Sequence, residues 1–260
     1  MLEAISLKSI KSKLSTELPE EIIVATRVPI RDESDRGVIG FMTSIDMNQP
    51  LRYQTVKTTK QRNVKLIGIL LCHPESPLGK NEILSHLSHF HIRSGEAVDF
   101  FCAGYGAFWP DNHHIDQKVV AKVEGTEWLF SDVAFSEVID QLEVESKWRY
   151  SGETELLLVA VKKSQTGELL FSYDTAITCN LEQMEKDKAF TSVRAFFNDI
   201  FRFAKTNLSK DPSWAFSDAQ GIKQGKGVLK EAVLSVIPSS LRDGYKKTRH
   251  YAVKNISTDF

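Results

Sequence analysis

The sequence predicts an α/β fold with a mixed sheet, and three adjacent stretches carry the prediction. Val64 to Cys72 (VKLIGILLC) is an unbroken apolar run of strand length, the mark of a strand covered on both faces. Residues 81 to 93 then place Ile83, Leu84, Leu87 and Phe90 on one helical face, and Gly95 ends the helix. Ala97 to Ala103 (AVDFFCA) reads as a second buried strand. Strand, helix and strand within about 40 residues imply a βαβ unit with its two strands parallel.

The other elements follow in order. Leu2, Ile5, Leu7, Ile10 and Leu14 recur at helical spacing, so residues 2 to 18 read as an amphipathic N-terminal helix that Pro19 stops. Three strands are expected at Ile22 to Val28, Val38 to Ile45 and Leu51 to Thr58, with breaks at Gly37 and Asn48-Gln49-Pro50. Beyond the βαβ unit, Thr126 to Phe130 reads as a strand. Asp132 is placed as the N-cap of a helix carrying Phe135, Val138, Ile139 and Leu142 on one face. Glu155 to Val161 and Glu168 to Ile177 form a hairpin around Ser164-Gln165-Thr166-Gly167. The strongest amphipathic pattern closes the core, with Val193, Phe196, Phe197, Ile200, Phe201 and Ala204 in one stripe. A short helix from Val228 to Ile237, closed by Pro238, opens a C-terminal tail. The organisation expected is an N-terminal helix and strands over 1–63, a core over 64–207 and a basic extension over 208–260.

Composition narrows the classes of function. The 260 residues hold 33 basic and 34 acidic side chains, so no whole-chain field favours nucleic acid or acidic membranes. No apolar run approaches the roughly 18 to 20 residues needed to cross a bilayer. The first residues lack the compact apolar stretch of a secretion signal. Cys72, Cys102 and Cys179 are an odd number without a CxxC pair and lie in apolar runs, so buried reduced thiols and a cytoplasmic location are expected. Between 223 and 254, eight Lys or Arg face only Glu231 and Asp243, a local charge of +6 on a nearly neutral chain.

From Val64 to about residue 207 the order is β-α-β followed by α-β-β-α, with one strand inserted before the second helix. That order of elements is similar to the thioredoxin-like topology. The resemblance implies a redox cysteine pair after the first core strand and a proline before the third. Here Cys72 is followed by His73, Pro74 and Glu75, and Ser151-Gly152-Glu153-Thr154 holds no proline. The resemblance therefore concerns the fold and implies no dithiol chemistry.

Six of the seven histidines lie between 73 and 114, and histidine is both the common metal ligand and the usual general base. On a helix, His86 and His89 share a side and could bind one metal, or they simply line a solvated face. His91 falls on the apolar face as a core histidine. In α/β sheets ligands bind beyond the carboxyl ends of parallel strands. That edge gathers His73 after the first strand with Tyr105, Trp109, Asp111, His113 and His114 after the second. The set contains acid, base and stacking partners, though it also suits a polar loop with Trp109 tucked back for packing. Lys80, at the end of a Gly79-Lys80 pair, could help a helix start hold an anion, although Pro74 and Asn81 break the Walker pattern. Trp148 and Tyr150 could stack a base or a peptide side chain, or pack a turn over the sheet edge.

GxSxG, HExxH, DxD and zinc-finger spacings are absent. The leading expectation is a cytosolic subunit of a protein assembly, using the α/β core to recognise a partner or small ligand and its termini for docking. Homo-oligomerisation is the other form of such contact. A competing reading is a hydrolase or nuclease-like enzyme at His73, Asp111, His113 and His114, with metal assistance. A third is nucleic-acid binding through the tail, where Lys246, Lys247 and Arg249 would grip phosphates. No cofactor is specified by any motif.

Overall fold

The computed structural model describes residues 2–4, 6–18, 23–29, 53–59, 64–93, 98–107, 109, 113–164, 166–173, 176–210, 233–235, 237–242 and 253–255. The strand expected at Val38 to Ile45 and most of the basic extension lie outside them. The fold is mixed α/β, and its main sheet is mixed. Its strand order is β1 (Leu2–Ala4), β5 (Val98–Ala103), β4 (Val64–Leu71), β9 (Glu155–Lys163), β11 (Ile177–Asn180) and β12 (Val253–Asn255), with β10 (Leu169–Phe171) also pairing β9. β4 and β5 run parallel, as do β1 and β5, while β9 runs antiparallel to β4 and to β11. Two smaller sheets stand apart: a ribbon of β2 (Ile23–Pro29) with β3 (Tyr53–Thr59), and a meander of β6 (Tyr105–Ala107), β8 (Thr126–Phe130) and β7 (Lys118–Val123).

Helices cover both faces of the main sheet. Alternation along β5 sends Phe100 to one face and Asp99 and Phe101 to the other. Phe100 meets Phe197 and Phe201 of α5 (Val193–Lys210), with ring centroids 5.0 and 4.9 Å away, and Phe197 also meets Phe90 of α2 (Leu87–Arg93). Gly68 of β4 leaves the space that Phe100 fills, since a Cβ there would lie 3.0 Å from its ring. On the opposite face α1 (Leu7–Glu17) packs with α3 (Asp132–Glu145). Gln141 accepts the Leu7 N–H at 2.9 Å, and Lys11 pairs with Glu145 at 2.5 Å. β4 is buried from Leu66 to Leu71 between these layers, as its unbroken apolar run requires.

A buried charge cluster ties α1 to the sheet. Asp99 is 1% exposed and pairs with Lys65 of β4 at 2.5 Å, and Lys65 also reaches Glu17 at 3.0 Å. Burial pushes the Asp99 carboxyl up to about 6, although Lys65 draws it the other way. Burial also works against the Glu17 charge, but its bonds to Lys65 and Asp99 win and hold it below its ordinary value.

Several elements differ from the sequence expectation. Residues 2–18 are not one helix. Leu2–Ala4 join the sheet beside Phe101–Ala103, and α1 begins only after Ser6. Ser6 and Ser9 form a capping box, each hydroxyl accepting the other's backbone N–H at 3.1 Å, which satisfies donors a helix start would otherwise orphan. Ser131, not Asp132, caps α3, its hydroxyl accepting the Ala134 N–H at 3.1 Å. The second hairpin strand is split. Phe171 lies opposite Val161 but Ile177 lies opposite Leu158, so six steps on one side answer three on the other. The excess chain turns Tyr173 inward, where its hydroxyl donates to Glu145 at 2.9 Å. Strands β6 and β7 and the helix α4 (Leu181–Lys186) were not anticipated. Pro238 begins a new helical turn over 239–242, accepting the Leu241 N–H at 2.9 Å. Val233, Leu234 and Ile237 belong to the buried core.

Two outcomes follow from this packing. Phe100→Ala should lower unfolding stability by about 3–5 kcal/mol in urea titrations, because Gly68 cannot fill the void. The raised Asp99 carboxyl favours its protonated form in the folded state. Its contribution is thus fully present below the unfolded value near 3.8 and lost as pH rises through about 6. Asp99→Asn should flatten the loss of stability measured across that window.

Candidate functional site

The carboxyl ends of β4 and β5 meet the start of β9, and there the chain gathers most of its polar chemistry. β4 delivers Cys72 and the turn His73-Pro74-Glu75-Ser76. This turn closes through the Ser76 N–H on the His73 carbonyl at 3.0 Å. Ser76 then starts the helical path, its hydroxyl accepting the Gly79 N–H at 3.0 Å, with Pro77 suited to the first turn. A π-helical turn over Gly79–Ile83 and a 3₁₀ turn over Leu84–His86 lead into α2. The helix thus begins before residue 81, and its irregular turns press Gly79 onto the loop. A Cβ at Gly79 would lie 2.4 Å from the His73 carbonyl, 2.9 Å from Ser76 Oγ and 3.2 Å from Cys72 Sγ.

Beneath that loop lies a polar network centred on buried Cys72 and Thr154. Cys72 is fully buried, with Sγ 3.7 Å from Ser76 Oγ and 3.9 Å from Thr154 Oγ1. Ser76 and Thr154 hydroxyls are 3.2 Å apart, and Glu182 of α4 accepts the Thr154 hydroxyl at 2.9 Å and its N–H at 3.1 Å. Burial pushes the Cys72 thiol up to about 11, so at neutral pH it is a protonated thiol and a poor nucleophile. Cys102 and Cys179 are likewise buried and free of disulfides, and burial raises both thiols.

His73 caps the network with both ring nitrogens engaged. Nδ1 accepts the Glu75 N–H at 3.1 Å, so the ring proton sits on Nε2 and is donated to Asp132 Oδ1 at 2.8 Å. Its edge meets Phe130 and Phe135, with centroids 5.1 and 6.3 Å away. Tyr105 lies wholly buried underneath and donates its hydroxyl to the Cys72 carbonyl at 3.0 Å, and burial drives its phenol far above the ordinary range. Gly104, at φ +75°, bends the chain between β5 and β6 against Phe135, where a Cβ would come within 2.6 Å of that residue's own Cβ.

The remaining candidates fall elsewhere on this edge or off it. Trp109, His113 and His114 form a ring cluster of their own, with Trp109–His114 centroids 5.0 Å apart and His113–His114 4.6 Å apart. Trp109 is 8% exposed, and its indole nitrogen lies against Gly106. Asp111 is outside the described residues. His86 Nδ1 bonds to the Glu82 carbonyl at 2.8 Å and His89 Nε2 to Asn198 of α5 at 2.9 Å, so the two imidazoles serve different partners. No group of three or more His, Cys, Asp or Glu able to hold a metal occurs among the described residues. His91 meets Trp128 edge to face at 6.0 Å. Lys80 pairs with the Glu75 carboxylate at 2.8 Å in an exposed ion pair. At the helix start Ser76 already accepts the Gly79 N–H with its hydroxyl and the Lys80 N–H with its carbonyl.

Trp148 is buried, donating its indole N–H to Glu155 at 2.8 Å, and serves packing. Tyr150 is half-buried against Phe135, 5.8 Å between centroids, and burial pushes its phenol up to about 12. Lys246, Lys247 and Arg249 lie outside the described residues. Among the described residues, no helix is long and apolar enough to cross a membrane.

Three acids at this edge escaped the sequence reading as site residues: Asp116, Asp132 and Glu182. Asp116 accepts the Ser131 hydroxyl at 2.7 Å and the Val133 N–H at 3.0 Å, filling the N-terminal end of α3 with a carboxylate. Partial burial opposes its charge, yet these bonds prevail and hold it below the ordinary value. The available signal was positional, since Asp132 and Glu182 each open a helix on the edge where His73 and Thr154 emerge.

Compared with known proteins, the chain matches no family model, no curated protein and no solved structure.

The sealing of Cys72 is directly testable. Iodoacetamide at neutral pH should leave it unmodified in the folded chain, as read by peptide mass spectrometry. Gly79→Ala should cost about 2 kcal/mol by overpacking and open Cys72 to the reagent, because the new methyl meets backbone that cannot yield.

Proposed function

We propose that this chain is a recognition subunit of a cytosolic protein assembly, with a thioredoxin-like core that acts as a docking scaffold and not as a redox centre. The order β1-β5-β4-β9-β11, with β9 reversing direction beside the parallel pair, supports the thioredoxin-like reading. Three unpaired buried cysteines suit a reducing compartment.

The observation that carries the reading is how this edge spends its reactive groups on itself. A general base needs a ring nitrogen within reach of substrate, and both of those on His73 are taken. A nucleophilic thiol needs thiolate, and the Cys72 environment suppresses it. On the segments that bear Asp116 and Asp132 the surface carries Ile115, Val119 and Val133, each at least half exposed, and Asp116 accepts the Val133 N–H. Exposed apolar side chains within a polar rim are what a protein interface presents. The hydrolytic reading draws on one observation, the His73–Asp132 bond, and requires the turn to release Nδ1 before the ring could accept a proton.

Size-exclusion of cell extract at native expression should place the chain well above the position of a 260-residue monomer. The double variant Val119→Asp, Val133→Asp should return it to the monomer position. Monomeric elution of the unaltered chain, or unchanged elution of the variant, sinks the proposal.

A further inference from the structure

Beside the Ser76 N–H bond to the His73 carbonyl, the turn over Cys72 carries a bond that only a neutral imidazole can make. His73 Nδ1 accepts the Glu75 N–H, and the same ring donates from Nε2 to Asp132. The ring is about a third exposed, so water and protons reach it. On the protein side the turn lies over Cys72, whose Sγ is 3.7 Å from the His73 carbonyl.

We propose that His73 is a proton-operated latch on the 73–76 turn. Protonation places an N–H on Nδ1 facing the Glu75 N–H, donor against donor, while charge strengthens the bond from Nε2 to Asp132. Asp132 therefore holds the ring in both states, and the turn is the part that yields.

Charged groups face the ring from other elements. Asp132 of α3 accepts from it, and Lys118 of β7 lies 4.0 Å from Asp132 Oδ2 and above the Phe130 ring. Phe130 and Phe135 present apolar edges. On the turn itself, Glu75 holds its carboxylate against Lys80 at 2.8 Å. A protonated Nδ1 can recruit that carboxylate in competition with Lys80, which supplies the new acceptor once the backbone bond is lost. Release of the turn then uncovers the Cys72–Ser76–Thr154 network. The latch rests on contacts within this loop and stands whether or not the rim docks a partner.

Amide hydrogen exchange of the full chain, followed by NMR at about pH 7.5 and about pH 5.5, tests this. Protection factors remove the intrinsic pH dependence of exchange. They are expected to fall about tenfold at Glu75, Ser76 and Gly79 at the lower pH, with β4 amides unchanged. His73→Gln should abolish the fall. Equal protection at both pH values in the unaltered chain, or the same fall in His73→Gln, overturns the latch. Should that variant not fold, Asp132→Asn provides the second reading. It must move the midpoint of the Glu75 amide transition to lower pH, and an unmoved midpoint overturns the proposal.

Discussion

β4 is flanked by β5 and β9 and covered by helices on both faces, so it has no solvent side and every neighbour must match it. Its residues set the register for the parallel partner and for the antiparallel one, Leu70 standing opposite both Cys102 and Leu156. Gly68 leaves the room that the ring of its cross-strand partner Phe100 fills beneath the α5 stripe. Lys65 at the start of the strand receives Asp99 and Glu17, and Cys72 at its end receives the loop, Thr154 and, through that residue, Glu182. A strand buried on both faces has to satisfy its polar ends internally. The two polar clusters are the consequence, one at each end.

Those clusters differ in character. At the amino end charges face charges, and burial leaves Asp99 holding a proton more readily than an ordinary carboxyl. At the carboxyl end the groups are hydroxyls, a thiol and one carboxylate, bonded in a chain from Ser76 through Thr154 to Glu182. Cys72 and Thr154 are buried within it, while Ser76, Glu182 and the His73 ring beside it are partly exposed. On the β7 and α3 side, Val119 and Val133 are exposed apolar side chains beside the charged Lys118 and Asp132.

Much of this fold was legible before any coordinates. The parallel pair followed from two apolar runs separated by a helical pattern, and α3 and α5 followed from stripes of 3.6 spacing. The failures have specific causes. Leu2–Ala4 share apolar residues with the helix after them, and only pairing with β5 separates strand from helix. The split of β10 from β11 depends on Tyr173 finding Glu145, a contact 28 residues away in sequence. Of the proposed rim, His73 and Tyr105 do lie together, but Tyr105 is underneath and bonded to a carbonyl. His113 and His114 turn instead to Trp109. Adjacent loop residues carry no periodicity to say which way they point.

The sequence by itself determined the mixed α/β class, the parallel pair at its centre and the edge at which polar groups would collect. Those depend on burial patterns that repeat along the chain, and a pattern survives without knowledge of its partners. The tertiary structure alone decided whether those groups were free. Asp132 reaches back to His73 across 59 residues, and Glu182 to Thr154 across 28. Hydrogen bonds are satisfied between side chains brought together by packing, and no local spacing records which pairs will meet.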